Sequence, residues 1–258
     1  MIITTAGRTN EMIRQYTKNL AKEIQIPYVE RNKRSIEALQ QQFQKDVLVV
    51  GKERLEYHSL TNKDPFFFHP NSAMFRIKRY LKGEEDPFQQ VTGLKSGMSF
   101  LDCTLGLGSD SIAASFLVGK RGKVIGIEKS ETIALLVQYG LQACETDLQP
   151  LNDAMRRINV VHEDHLTYLK KLENESFDVV YLDPMFQETI DTSQGLSGIR
   201  QFASYDDVHE EVMKEAKRVA KKRVVLKDHF RSKRFQTFEL KQMVRKTSKF
   251  HYGVWEKK

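Results

Sequence analysis

The eleven residues Phe100-Leu-Asp-Cys-Thr-Leu-Gly-Leu-Gly-Ser-Asp110 constrain this chain more than any other stretch. An apolar run, Met98 to Leu101, ends in the carboxylate Asp102, and a turn holding Gly106 and Gly108 follows. Ile112 to Val118 then has the apolar periodicity of a helix. Strand, acid, glycine turn and helix make the opening unit of a nucleotide-type α/β domain. Glycine lets the backbone approach a ligand closely, and a helix start presents unpaired N–H groups. The spacing also excludes two ligand classes. A dinucleotide fingerprint requires a third glycine where Ser111 stands, and a P-loop requires Gly-Lys-Ser/Thr at its close, which this turn lacks.

What remains, Asp-x-Thr-x-Gly-x-Gly, resembles the first motif of class I S-adenosylmethionine (AdoMet) methyltransferases, with Thr104 where a glycine is common. On that resemblance Asp102, Thr104, Gly106 and Gly108 belong to a cofactor site. Lys123 to Glu128 reads as a second buried strand ending in an acid. Glu128 lies twenty positions beyond Gly108, where a carboxylate can accept from both ribose hydroxyls. Asn159 to Asp164 is a third strand whose terminal Asp164 is placed to meet the adenine amino group.

Phe177-Asp-Val-Val-Tyr-Leu-Asp183-Pro-Met-Phe186 is a fourth buried strand running into Asp-Pro-Met-Phe. This resembles the Asn/Asp-Pro-Pro-aromatic tetrapeptide of methyltransferases acting on exocyclic or amide nitrogens. An exocyclic amine is a poor nucleophile because its lone pair is delocalised into the ring. The site must accept its hydrogens so that the nitrogen pyramidalises as it attacks. Asp183 and the main-chain carbonyl of Pro184 are the expected acceptors, with proline holding the turn rigid. Phe186 is the expected stacking partner of the base, a contact worth ~1–3 kcal/mol. A sulfonium methyl needs no nucleophilic side chain, so positioning and charge complementarity carry the expected catalysis. No Pro-Cys dipeptide is present to support a cysteine adduct.

Taken together, Leu105 to Asp110, Val124 to Lys129 and Val180-Tyr-Leu-Asp-Pro-Met-Phe186 resemble the bacterial small-subunit ribosomal RNA guanine-N2-methyltransferase family. Phe68 to Lys78 and Lys222 to Lys227 are similar to its stretches before the first strand and along the fifth. The resemblance covers roughly residues 47–258 and implies that Ser109, Asp110, Glu128, Lys129, Asp164, His165 and Asp183 line the cofactor. Three departures stand out: Ser109 where the family tends to have Arg, Gln187 where it has Pro, and Asp228-His229 where it has Arg-Pro. The first 45 residues have no counterpart in that pattern.

Charge is unevenly placed. Of the net +7, residues 1–96 carry +5, residues 97–205 carry −6 and residues 206–258 carry +8. Basic flanks around an acidic middle suit a polyanion outside and a cationic or neutral ligand within. Expected RNA contacts are Asn71, Arg76 and the cluster Arg231, Lys233, Arg234, which would position phosphates without reading sequence. Two cysteines form neither a disulfide framework nor a metal-ligand spacing, so no metal is expected. Without a signal peptide or a ~20-residue apolar run, a cytoplasmic protein with no membrane contact is expected.

The expected architecture is an α/β Rossmann-like class I methyltransferase over residues 96–258. Its seven-stranded sheet has the last strand antiparallel and helices on both faces. Residues 1–95 are expected to form a small α/β appendage with a connector or lid. Within them Thr9 is the expected cap of a helix over 11–24, and Asn71 or Ser72 that of a helix over 73–81. Gln187 to Ser204 reads as a loop over the site. The expected partner is RNA, small-subunit ribosomal RNA or its particle. The same tetrapeptide also suits a DNA adenine or protein glutamine N-methyltransferase. A non-catalytic RNA-binding protein with a degenerate pocket is the remaining alternative.

Overall fold

A computed structural model describes residues 1–52, 54–62, 64–184 and 208–258. These fall into two compact units, one of residues 1–69 and 135–145, the other of residues 70–134, 146–184 and 208–258. The stretch 70–95, expected with the amino-terminal part, clusters with the second unit.

The first unit contains β1 (Ile2–Thr5), α1 (Glu11–Glu23), α2 (Ile36–Phe43), β2 (Val47–Val50), β3 (Leu55–His58) and β4 (Phe66–Phe67). The sheet order is β1-β2-β3-β4, with β1 parallel to β2 and the rest antiparallel. Ile2, Val47 and Val49 close over Leu39 of α2. Asn10, not Thr9, caps α1: its side chain accepts from the Ile13 N–H. Asn is among the preferred cap residues and sits one position nearer the first turn.

The second unit runs α3 (Asn71–Leu81), α4 (Pro87–Thr92), β5 (Ser99–Asp102), α5 (Ser109–Val118), β6 (Lys123–Glu128), α6 (Glu131–Ala143, its latter part counted with the first unit) and α7 (Gln149–Arg156). It continues with β7 (Ile158–His162), α8 (His165–Lys171), β8 (Phe177–Leu182), α9 (Glu210–Val219), β9 (Ala220–His229), α10 (Arg234–Thr237), β10 (Lys241–Met243) and β11 (Phe250–Glu256). Helix α3 begins at Asn71 itself, after Pro70, with no side-chain cap, so neither expected residue serves as one.

The seven strands take the order β10-β11-β9-β8-β5-β6-β7. Five are parallel, and the last, β11, inserts antiparallel between β9 and β10, as expected. Parallel strands need covering on both faces and therefore read as near-continuous apolar runs. Alternation divides them. Leu101, Val180, Leu182, Val224 and Leu226 pack with Leu169 of α8 and Val212, Met213 and Ala216 of α9. Phe100 and Tyr181 point to the other face, where ring centroids lie 5.4 Å (Phe88–Tyr181) and 5.7 Å (Phe100–Tyr181) apart. A bulge between Phe177 and Val179 returns Phe177 to the first face. Strand β5 has β6 on one side and β8 on the other, so order reverses there. In open α/β sheets ligands bind beyond the carboxyl ends at such a reversal. Among the described residues no helix is long and apolar enough to cross a membrane.

Candidate active site

The turn after β5 is built on Asp102. This buried carboxylate accepts from the Thr104 N–H (3.0 Å) and the Ser111 hydroxyl (2.7 Å), tying strand end to helix start. Burial lifts its carboxyl to about 7. Asp102 thus lies beneath the turn. Gly106 and Gly108 have φ of +49° and +74°, the left-handed region that side chains disfavour. Among the described residues a Cβ placed on Gly106 would meet nothing within 4 Å, so these leave open space over the turn. Gly108 caps α5, whose first turn carries Ser109 and Asp110.

Glu128, at the end of β6, faces the same turn. One oxygen accepts from the Gly106 N–H (3.1 Å), the other from the Ser130 N–H (2.8 Å). These bonds aim the carboxylate over the turn. Asp164 caps α8, accepting from the Thr167 N–H (3.1 Å), and pairs with Lys129 at 3.3 Å. Capping engages Oδ1 of Asp164, the residue expected to meet the adenine amino group, and Oδ2 meets Lys129. His165, the first residue of α8, is buried.

Asp183 follows the last residue of β8. Its N–H donates to the Thr104 hydroxyl at 2.6 Å, which gives the residue at the usual glycine position a structural task. Its Oδ2 is paired with the Lys227 ammonium, whose nitrogen also lies 3.6 Å from Asp110. Asp110 accepts from Arg76 (2.5 Å) and from the Tyr181 hydroxyl (2.9 Å). Arg76 in turn pairs with Asp86 at 2.9 Å, and its guanidinium lies 4.8 Å from the Phe88 ring centroid. Asp86 also accepts from Tyr80 and caps α4. The row Asp86, Arg76, Asp110, Lys227, Asp183 alternates in sign and ends on a carboxylate, three anions to two cations.

Each group's acidity follows from that row. Burial pushes the Asp183 carboxyl up, only partly countered by Lys227, with Asp110 adding to the rise. Burial would also raise Asp110, but Lys227 and Arg76 win and hold it well below the carboxylate range. Burial opposes the Lys227 charge, yet Asp183 and Asp110 keep it protonated far above the usual lysine value. Burial pushes Tyr252 up to about 12.

The expected residues Asp102, Thr104, Gly106, Gly108, Ser109, Asp110, Glu128, Lys129, Asp164, His165, Asp183 and Pro184 all lie at the carboxyl ends of β5 to β8 or in the turns and helix starts that follow. Phe186 lies outside the described residues, as does the loop expected over 187–204. Arg76 is turned into the unit by Asp86 and Asp110 rather than presented to a polyanion. Arg234 is likewise paired, with Asp228 at 3.1 Å, whereas Asn71, Arg231 and Lys233 are exposed. Lys227, Tyr181 and Asp86 escaped the sequence reading. An isolated lysine ending the apolar run Val224-Val-Leu-Lys227 was the available signal.

A glycine turn under open space, a carboxylate aimed by backbone N–H groups and an acid at the strand reversal define an AdoMet-binding transferase. Residues 32–256 match the family model described as "Putative SAM-dependent methyltransferase", and the chain belongs to that family, with AdoMet as cofactor. YpiP, an uncharacterized protein of Bacillus subtilis (strain 168), is 49% identical over 253 residues, covering 98% of both chains. Ribosomal RNA small subunit methyltransferase J of Buchnera aphidicola subsp. Schizaphis graminum is 32% identical over 165 residues, 62% of this chain and 64% of that one. Its namesake in Coxiella burnetii (strain RSA 331) is 27% identical over 81% of this chain and 80% of that one. A SAM-dependent methyltransferase of Neisseria gonorrhoeae shares the fold, with a TM-score of 0.60 at 17% identity, covering 99% and 96% of the two chains.

Proposed function

We propose that the methyl acceptor is an exocyclic amine of an RNA base, guanine N2 of small-subunit ribosomal RNA, free or in an assembling particle. The observation that carries this reading is Asp183 beside the glycine turn, its carboxylate paired with Lys227 and its backbone N–H anchored on the Thr104 hydroxyl. The names of the Buchnera and Coxiella relatives and the +8 charge of residues 206–258 support RNA as the substrate. When bound, AdoMet supplies a methyl group already activated on a sulfonium. The turn at Gly106 and Gly108, Glu128 and the pair Lys129–Asp164 are the residues that would hold it.

Asp183 accepts an N–H of the amine, which localises the nitrogen lone pair for attack, and takes the proton that the nitrogen sheds. Its raised acidity constant suits that proton transfer. Pro184 fixes the turn and offers its carbonyl to the second amine hydrogen. The odd negative charge of the buried row complements a sulfonium and is neutralised as the proton arrives. A base must leave its stack to reach Asp183.

The test is transfer of a tritiated methyl group to total RNA, DNA and protein, followed by mass spectrometry of ribosomal RNA nucleosides from a deletion strain. Label in RNA and loss of one N2-methylguanosine are expected. Label in DNA or protein alone would overturn RNA as substrate, and loss of a different methylated nucleoside would overturn guanine N2.

A further inference from the structure

Just past the carboxyl end of β9 a large apolar side chain is held in the open. Phe230 is 37% exposed, yet its backbone is pinned: its N–H donates to the Lys249 carbonyl (3.0 Å) and its carbonyl accepts from Gln242 (3.0 Å). The His229 ring lies against it at 4.6 Å between centroids, and the buried His251 ring stands behind at 5.9 Å. The Arg231 guanidinium lies 5.0 Å from the Phe230 centroid. Below this group Asp228 draws in Ser232 (2.6 Å) and Arg234 (3.1 Å), bracing the loop. Arg231, Lys233 and Lys249 are exposed and make no ion pair among the described residues.

Strand alternation fixes where this group sits. Residues two apart share a face of a strand and lie ~7 Å apart. His229 is therefore on the face of Lys227, one such step further out, and Lys227 contacts Asp183. That step is close to the spacing of successive nucleotides in an extended strand. We infer that His229, Phe230 and Arg231 form a stacking platform for the unpaired nucleobase next to the one being methylated. The ligand is a single-stranded nucleobase: aromatic rings and guanidinium planes both stack on bases irrespective of sequence, and Lys233 and Lys249 stand beside it to meet the flanking phosphates. The inference rests on RNA being the substrate and adds that the target lies in an unpaired segment rather than a helix.

The test compares the parent with Phe230→Ala, Phe230→Leu and Phe230→Tyr. A short single-stranded RNA carrying one 2-aminopurine reports binding by fluorescence, and methyl transfer to unmodified small-subunit ribosomal RNA reports KM and kcat. Stacking energies place the loss of RNA affinity in Phe230→Ala at about 5- to 100-fold, felt in KM more than in kcat, with the fluorescence change lost and AdoMet affinity kept. Phe230→Tyr restores both signals and Phe230→Leu does not. Equal RNA affinity in Phe230→Ala, or equal rescue by Leu and Tyr, overturns the platform while leaving RNA methylation standing. A parent that binds and methylates no RNA overturns the substrate reading beneath it.

Discussion

Glu128 and Asp183 end the two strands that flank β5, and the protein treats them in opposite ways. The Glu128 carboxylate accepts from the backbone N–H groups of Gly106 and Ser130, the second only two residues away. The Asp183 carboxylate is held by a cation 44 residues further along the chain, and its backbone N–H by a threonine hydroxyl 79 residues before it. Backbone N–H groups orient a carboxylate, which suits an acceptor for hydroxyl groups. A cation shared between two carboxylates sets both orientation and acidity, which suits a group that takes a proton. The two acids look alike in sequence, and the proposed function gives them different tasks.

Asp183→Ala tests that division most severely. Loss of a positioned general base costs typically ~10²–10⁴-fold in rate, so turnover should all but vanish while AdoMet affinity, measured by calorimetry, stays near that of the parent. Equal losses in both would mean that the two acids share one task.

Lys227→Met removes the shared cation and leaves Asp110 and Asp183 facing each other. Breaking a buried pair costs ~3–5 kcal/mol, to be read from thermal unfolding. Where the variant folds, the acid limb of its pH–rate profile sharpens the comparison. Activity needs the Asp183 carboxylate and falls as pH drops through its already raised acidity constant. Without Lys227 that constant rises further, and the limb moves up by ~1–3 pH units. Lys227→Arg, which keeps the charge, should recover most of the shift.

Glu128→Gln keeps the shape but sets an amide NH₂ against a backbone N–H. Hydrogen bonds to charged groups contribute ~1.5–3 kcal/mol, which predicts AdoMet affinity lowered about 10- to 100-fold with kcat at saturation little changed. A variant impaired in kcat alone would erase the contrast with Asp183.

Asp102 gives the smallest effect. Burial lifts its carboxyl from 3.8 to about 7, so between those values the folded chain holds a proton that the unfolded chain has released. Stability of the parent therefore falls as pH rises through that window. Asp102→Asn lacks this penalty, and its melting temperature relative to the parent should climb between pH 4 and pH 8. A constant difference would show that Asp102 is ionised throughout.

Local signals carried much of the fold. Lys123 to Glu128 is an apolar run ended by an acid and became β6 with the same bounds. Phe177 to Leu182 became β8. Caps were less legible: Thr9 and Asn10 are both competent, and only the path of the chain into α1 selects Asn10. Arg76 illustrates what is harder to read. Next to Lys78 and Arg79 it reads as part of a basic helix, and nothing adjacent announces that Asp86 and Asp110 draw it inward.

The amino-acid order by itself determined the alternation of buried strands and helices, the left-handed glycine turn and the acids at strand ends, because each follows from apolar spacing and backbone sterics over a few residues. The partners of those acids were decided only by the folded sheet. Asp183 meets Lys227 because β8 and β9 pair in parallel with Leu182 opposite Leu226, which brings the residues just beyond them side by side. A charge in a buried strand must find its counter-charge across the fold, and no short stretch of sequence names that partner.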